Sequence, residues 1–285
     1  MAHDYDATGW REGASAWVEN EALFDSVYTP VTAEIVERAG FRSNERVLDV
    51  GCGSGTLLAA GTAAGSTMVG VDIAPDMVEA ARRRVPEATV LLGDAQTMDI
   101  GAHAPGAPFE RVVSRFGVMF FSDPTAAFAN VRSVTAPGAH LVFVCWRSIA
   151  ENPSFGGAGT EAITAALPDP PAPPPPGTPG PMAFADRDYL ATILTDAGWD
   201  KVAVDPFDTV FDHSVDGSDG VEERLTLILA TTTGRLAREQ LDNTITTEKW
   251  SDVVERTREQ IQTYVVDGSV KLPGALWLVT ASNQH

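Results

Sequence analysis

Three glycines at alternate positions, Gly51, Gly53 and Gly55, follow a short apolar run that carries one carboxylate, Asp49. Glycine permits a tight turn and lets a ligand approach the main chain, because no Cβ fills the space. A second carboxylate, Asp72, ends the next apolar run, 21 residues after Gly51. An acid there can accept hydrogen bonds from both hydroxyls of a ribose. A third, Asp94, stands in Leu92-Gly-Asp-Ala95 after the run that follows. Together these residue types predict a pocket for a nucleotide-like cofactor. The dinucleotide fingerprint G-x-G-x-x-G requires a glycine where this chain has Thr56. No His/Cys/Asp cluster has recognised metal-ligand spacing, so no metal is expected.

Those residues need a frame. Val47, Leu48 and Val50 read as a buried parallel strand over 46–50, followed by a helix to about Ala64. Further strands are expected at 67–72, 89–92, 111–114 and 141–146, with helices at 75–84 and near 125–134. Strands alternating with helices predict a parallel sheet, with the ligand beyond the carboxyl ends of its strands. Upstream, 14–27 reads as a helix, and Thr29-Pro30 opens a second one. Downstream, nine of the nineteen prolines fall between Pro168 and Pro181, so 150–184 is expected to be an extended or mobile connector. A helix over 186–197 should end at Gly198, followed by a strand at 201–204. Residues 219–266 read as helical, with Trp250, Val253, Val254, Thr257, Ile261, Tyr264 and Val265 on one face, and 275–280 as the last strand. The domain reading is a helical cover at 1–45, a cofactor-binding core at 46–206, a helical cap at 207–273 and a last core strand at 274–285.

Composition narrows the function. At 285 residues and 44% hydrophobic, the chain can build a substantial core. A formal charge of -19 disfavours nucleic acid as a partner. Cys52 and Cys145 offer no disulfide framework. The acidic start lacks the apolar centre of a signal peptide, and no apolar run approaches the ~18 residues of a membrane span. The expectation is a soluble cytoplasmic protein, monomer or homodimer, that binds no membrane.

The Asp49-x-Gly51-x-Gly53-x-Gly55 pattern resembles motif I of the class I S-adenosylmethionine (SAM) methyltransferases. Arg111-Val-Val-Ser-Arg-Phe-Gly-Val-Met-Phe-Phe-Ser-Asp-Pro124, with Ala127 to Gly138, is similar to the motif IV to motif V region of the ubiquinone and menaquinone biosynthesis type. The resemblance spans about residues 10–150 and the final strand pair. It departs at Pro137-Gly138-Ala139, where Pro-Gly-Gly is usual, and at Glu110, which leads into the fourth strand.

The resemblance implies an α/β fold: a doubly wound, Rossmann-like, seven-stranded sheet with its last strand antiparallel. N-terminal helices and a helical cap inserted before the last strand would cover it. The implied cofactor is SAM, and the implied activity is methyl transfer to O, N or C of a small-molecule acceptor. Gly51, Cys52, Gly53 and Gly55 would make room for SAM, Asp72 would hold its ribose, and Ile73 and Met77 would lie beside it. Asp94 with Ala95 would bind adenine, and Asp49 would orient the turn or, through water, the methionine ammonium. Arg115 and Phe116 would line the methionine end, Arg115 binding a carboxylate of cofactor or acceptor, or pairing with a neighbouring acid. The catalytic candidates are Arg115 and His213, the latter read as a surface residue; the acceptor-pocket candidates are Trp17, Tyr28, Phe120, Trp146 and Trp250. No general base is evident, and an activated sulfonium needs only an acceptor held in line. A SAM-fold enzyme of non-methylating chemistry, an idle SAM-fold partner subunit and an NAD-dependent dehydrogenase are the alternatives.

Overall fold

The computed structural model describes residues 7–104, 106, 108–170, 175, 177–241 and 247–285, and the side chains of 7–12, 232, 247 and 248 are not among what it describes. The acidic start with His3, the Trp10 side chain and residues 171–174 and 176 of the proline-rich stretch therefore lie outside it.

Among the described residues, eight strands form the sheet: β1 Arg46–Val50, β2 Thr67–Asp72, β3 Thr89–Leu92, β4 Phe109–Arg115, β5 Thr135–Trp146, β6 Asp200–Asp212, β7 Val265–Val266 and β8 Ser269–Ser282. Their order is β3-β2-β1-β4-β5-β8-β6, and the two-residue β7 pairs with β8 beside this seven-strand path. β1 to β5 are parallel, and β8 runs antiparallel to both β5 and β6. This is the expected doubly wound sheet with its last strand antiparallel. Val47, Leu48, Val112, Val113, Phe143 and Val144 are buried to within 1% because helices cover both faces of the parallel strands. The strand order reverses between β1 and β4, and the glycine turn leaves β1 at that switch point, where a crevice opens between oppositely winding connections.

Local chemistry sets most helix ends. Pro75 and Pro124 occupy first-turn positions, where a missing N–H costs nothing. Asp123 caps the helix Pro124–Ser133 by accepting from Ala126 N, and Asp186 caps Arg187–Asp196 through Asp188 N and Tyr189 N. The expected helix at 14–27 is two helices, Ala7–Glu19 and Glu21–Val27, broken at Asn20.

Three corrections concern the second half of the chain. β6 continues to Asp212 and β8 begins at Ser269, so the 206/207 boundary falls inside a strand. Pro206 and Pro273 look like strand breakers, but β6 is an edge strand, and β5 pairs β8 only from Leu276 onward, leaving the backbone of Pro273 free on that side. The β6–β8 ribbon thus runs past the end of β5. The helical block is three helices, Val221–Ala230, Thr232–Leu241 and Thr247–Gln262. The stretch after β5 is not wholly extended: Pro153–Gly156 and Thr160–Ala166 are helical, and Ile163 and Leu167 join a second core with Val221, Leu225, Val253 and Ile261. Its prolines cluster after residue 167, so the preceding apolar stripe is free to fold onto the block.

Candidate functional site

The glycine turn is held by backbone and carboxylate together. Gly51 N and Cys52 N both donate to Val71 O, and Gly55 N donates to Cys52 O. Gly51 has φ +66, and a Cβ there would meet Gly117 Cα at 2.7 Å, so two glycines are required where the β1 and β4 connections touch. Gly53, at φ +53, has nothing nearer to a would-be Cβ than Met77 Sδ at 4.0 Å, which leaves the turn open at its centre. Asp72 accepts from Gly53 N through Oδ2 and from Ala74 N through Oδ1, each at 2.9 Å. Its carboxylate therefore ties the glycine turn to the end of β2. Burial raises its pKa and these backbone donors lower it, with a net rise. Cys52 is buried, with its sulfur packed beside Gly70.

Asp49 is the least satisfied group in this region. It is 1% exposed, and neither carboxylate oxygen has a hydrogen-bond partner. Burial, opposed by the Arg115 charge and reinforced by that of Asp72, pushes its pKa up to about 8. An unpartnered buried carboxylate is costly unless a cation or donor arrives to meet it.

Beside β2, Met77 packs with Ala14, Ala74 and Trp17, while Ile73 is half-buried at the same turn. After β3, Asp94 accepts from Gln96 N and Gln96 Nε2, and Gln96 Oε1 accepts from Ser122 N and Oγ and from Asp123 N. Asn130 holds Ala95 O and Met98 O. Gln96 and Asn130 thus fix the loop carrying Asp94 and Ala95 against the chain that follows β4.

Arg115 is engaged by the chain itself. It donates to Asp25 Oδ1 at 3.0 Å, to Thr32 Oγ1 at 2.8 Å and to Thr56 Oγ1 at 3.1 Å. Arg84 pairs with the other Asp25 oxygen at 2.6 Å. Burial works against the Asp25 charge, but Arg115, Thr56 and Arg84 outweigh it and hold the carboxyl below its usual pKa. Of the expected roles for Arg115, the ion pair with a neighbouring acid is formed here, with Asp25 as that acid. Asp25 reaches across 90 residues to this pair, and nothing near it in sequence signals that contact.

Phe116 follows directly, in the left-handed region at φ 65, a conformation that costs a side-chain residue about 1–3 kcal/mol. Its ring stacks on Trp146 with centroids 4.8 Å apart. Tyr28 meets Phe116, Trp146 and Phe211 edge-on, at 5.2, 6.2 and 5.3 Å. Phe155 closes on Trp146 at 4.9 Å. These rings form a wall at the carboxyl ends of β4, β5 and β6. Phe155 and Phe211 were not expected there, because the ends of β5 and β6 come together only through β8. Trp17 stacks on Phe24 at 3.7 Å, one ring further along the N-terminal helices, and Phe120 packs half-buried against the main core. Trp250 lies elsewhere, against the second core with Val254 and Tyr264.

His213 corrects the surface expectation. It is 2% exposed, and its Nδ1 has no partner. Burial, with the Arg224 charge, holds its pKa down at about 4, so the imidazole is neutral. Among the described residues, no group of three His, Cys, Asp or Glu is placed to hold a metal ion, and no helix is long and apolar enough to cross a membrane.

Comparison with known proteins agrees with this geometry. Residues 47–138 match a family model described as a methyltransferase domain. The chain is 30% identical over 184 residues to a demethylmenaquinone methyltransferase of Renibacterium salmoninarum, covering 59% of this chain and 72% of the relative. It is 30% identical over 148 residues to the aklanonic acid methyltransferase DauC of a Streptomyces species, covering 48% and 66%. In fold it is similar to the SAM-bound phosphoethanolamine N-methyltransferase 2 of Haemonchus contortus, with TM-score 0.52 at 16% identity, over 99% of this chain and 58% of that one. The chain belongs to the class I SAM-dependent methyltransferases. Its cofactor is S-adenosylmethionine.

Proposed function

We propose that this methyltransferase acts on a small, largely apolar acceptor seated against the aromatic wall at the carboxyl ends of β4 and β5. The observation that carries the reading is Asp49: a fully buried, unpartnered carboxylate under an open glycine turn at the switch point. The ammonium of SAM's methionine moiety would draw the proton off that group and pair with the carboxylate, and the turn built by Gly51, Cys52, Gly53 and Gly55 is open at Gly53, where the space a Cβ would take is left to the cofactor. Asp72 keeps lone pairs free for the ribose after accepting its two backbone bonds. Ile73 and Met77 flank that group, Asp94 and Ala95 receive the adenine, and Phe116 borders the reacting end. The curated relatives are named for demethylmenaquinone and aklanonic acid, which supports a small-molecule acceptor.

Bound SAM supplies a methyl group already activated on a sulfonium. The chain's task is then to hold the acceptor in line and keep water out. Tyr28, whose pKa burial raises, stays protonated, and His213 is too weak a base to compete for an acceptor proton at neutral pH. The acceptor therefore arrives as an amine, an enolate or an oxygen already ionised. The N-terminal helices between Ala7 and Ala39 and the helical block between β6 and β8 serve as covers over the core. The two buried free thiols, Cys52 and Cys145, suit a reducing cytoplasm, and the charge of -19 suits a protein without nucleic-acid partners, acting as monomer or homodimer.

Titration calorimetry with SAM and with NAD, followed by S-adenosylhomocysteine release across a panel of small acceptors, tests the reading. SAM binding without NAD binding is expected, and NAD binding without SAM would overturn it.

A further inference from the structure

Arg224 sits on the helix Val221–Ala230 and is only 6% exposed. Its Nε donates to Ala158 O at 3.2 Å and its Nη2 to Ser154 O at 2.7 Å. A guanidinium carries five N–H donors. Two neutral carbonyls satisfy part of that hydrogen bonding and none of the charge. Among the described residues, the groups that act on the charge of Arg224 are the phenols of Tyr28 and Tyr264, with no Asp or Glu between them. His213 also faces it, as a neutral ring. Burial accordingly pulls the Arg224 pKa down to about 10, with the phenols opposing. The guanidinium is still fully charged at neutral pH. A buried cation without a counter-charge destabilises the fold that holds it.

Its position gives that cost a use. Ser154, which holds Nη2, is followed by Phe155, the ring that closes on Trp146. The helix Val221–Ala230 packs on Glu21–Val27, which leads directly to Tyr28. The cation therefore borders the wall formed by Tyr28, Phe116, Trp146, Phe155 and Phe211. The Asp25 carboxylate on that same N-terminal helix is taken by Arg115 and Arg84 and is not spare.

We propose that Arg224 anchors an anionic oxygen of the methyl acceptor, so that the acceptor is a flat aromatic molecule carrying a carboxylate or similar charged oxygen. This rests on reading the aromatic wall as the acceptor pocket. A flat ring gains apolar contact with the half-buried Tyr28, Phe116 and Phe155 at the open edge of the wall, Trp146 itself being covered by its neighbours, and the anion gains charge-assisted hydrogen bonds in a water-poor setting. The helical block then selects substrate by charge as well as by shape, through one residue that also ties it to the segment after β5.

The test compares 2-naphthoate with 2-naphthamide, which match in shape and differ in charge. Calorimetry on the full chain saturated with S-adenosylhomocysteine should show naphthoate binding about tenfold or more tightly than the amide. Arg224→Gln should remove the preference while SAM still binds, and Arg224→Lys should keep part of it. Equal affinities, no naphthoate binding, or an unchanged preference in Arg224→Gln would each overturn the proposal. The wild-type comparison decides even where a variant folds poorly. SAM titration of the same preparation separates the two readings: absent SAM binding defeats the cofactor site, whereas SAM binding without a carboxylate preference defeats only the role of Arg224.

Discussion

Replacing Asp49 by asparagine should stabilise the free protein at neutral pH and weaken its hold on SAM. In the folded chain the Asp49 pKa lies at about 8, against 3.8 for an ordinary aspartate, because burial disfavours the charge. Its folded pKa is raised, so between these values the native state binds a proton that the unfolded state has lost. Stability then falls as pH rises, by about 1.36 kcal/mol per pH unit for one proton. From pH 4 to pH 7 that is on the order of 4 kcal/mol from this single group. The asparagine side chain is nearly isosteric and does not titrate, so the Asp49→Asn variant should lose that slope and melt higher at pH 7. The same argument fixes a binding signature. A cation entering above Asp49 must drive it to the carboxylate, so SAM binding at pH 7 should release up to about one proton. Calorimetry in buffers of different ionisation enthalpy reads that number directly, and denaturant melts across pH read the slope. Identical pH slopes in the two proteins, together with SAM binding that releases no proton, would refute the reasoning.

Two further substitutions probe the turn. Asp72→Ala should weaken SAM binding by roughly 1.5–3 kcal/mol, the scale of hydrogen bonds to a charged group. It should also lower the melting temperature of the free protein, since Gly53 N and Ala74 N lose their acceptor; an unchanged melt would show that this bridge is not formed in solution. Gly51→Ala should destabilise by about 1–3 kcal/mol in denaturant titration, from the left-handed φ and the 2.7 Å approach to Gly117 Cα, and a neutral effect would mean the β1 and β4 connections do not touch.

The sequence by itself determined the first half of the sheet and the glycine turn proposed to hold the cofactor. The predicted limits of β1, β2 and β3 and of the helix Pro75–Arg84 coincide with those observed. Each strand is a short apolar run ended by glycine or a charged residue, the helix opens on Pro75 and closes on three arginines, and such signals act within a few residues. The places of Gly51, Gly53, Gly55, Asp72 and Asp94, which we propose hold the cofactor, were legible for the same reason: the turn needs positive φ, Asp72 ends β2 and Asp94 lies two residues past β3. Tertiary structure alone decided the side proposed for the acceptor. Asp25 captures Arg115 from 90 residues away, and the buried settings of His213 and Arg224 come from packing of the helical block against β8 and the segment after β5. Tyr28, Trp146, Phe155 and Phe211 become one wall only when β8 brings β6 alongside β5. The long β6–β8 ribbon was hidden by Pro206 and Pro273, which break a strand in sequence terms but sit where no neighbour needs their N–H. Local backbone chemistry is written in adjacent residues, whereas a pocket's charge and shape depend on which distant side chains share its burial.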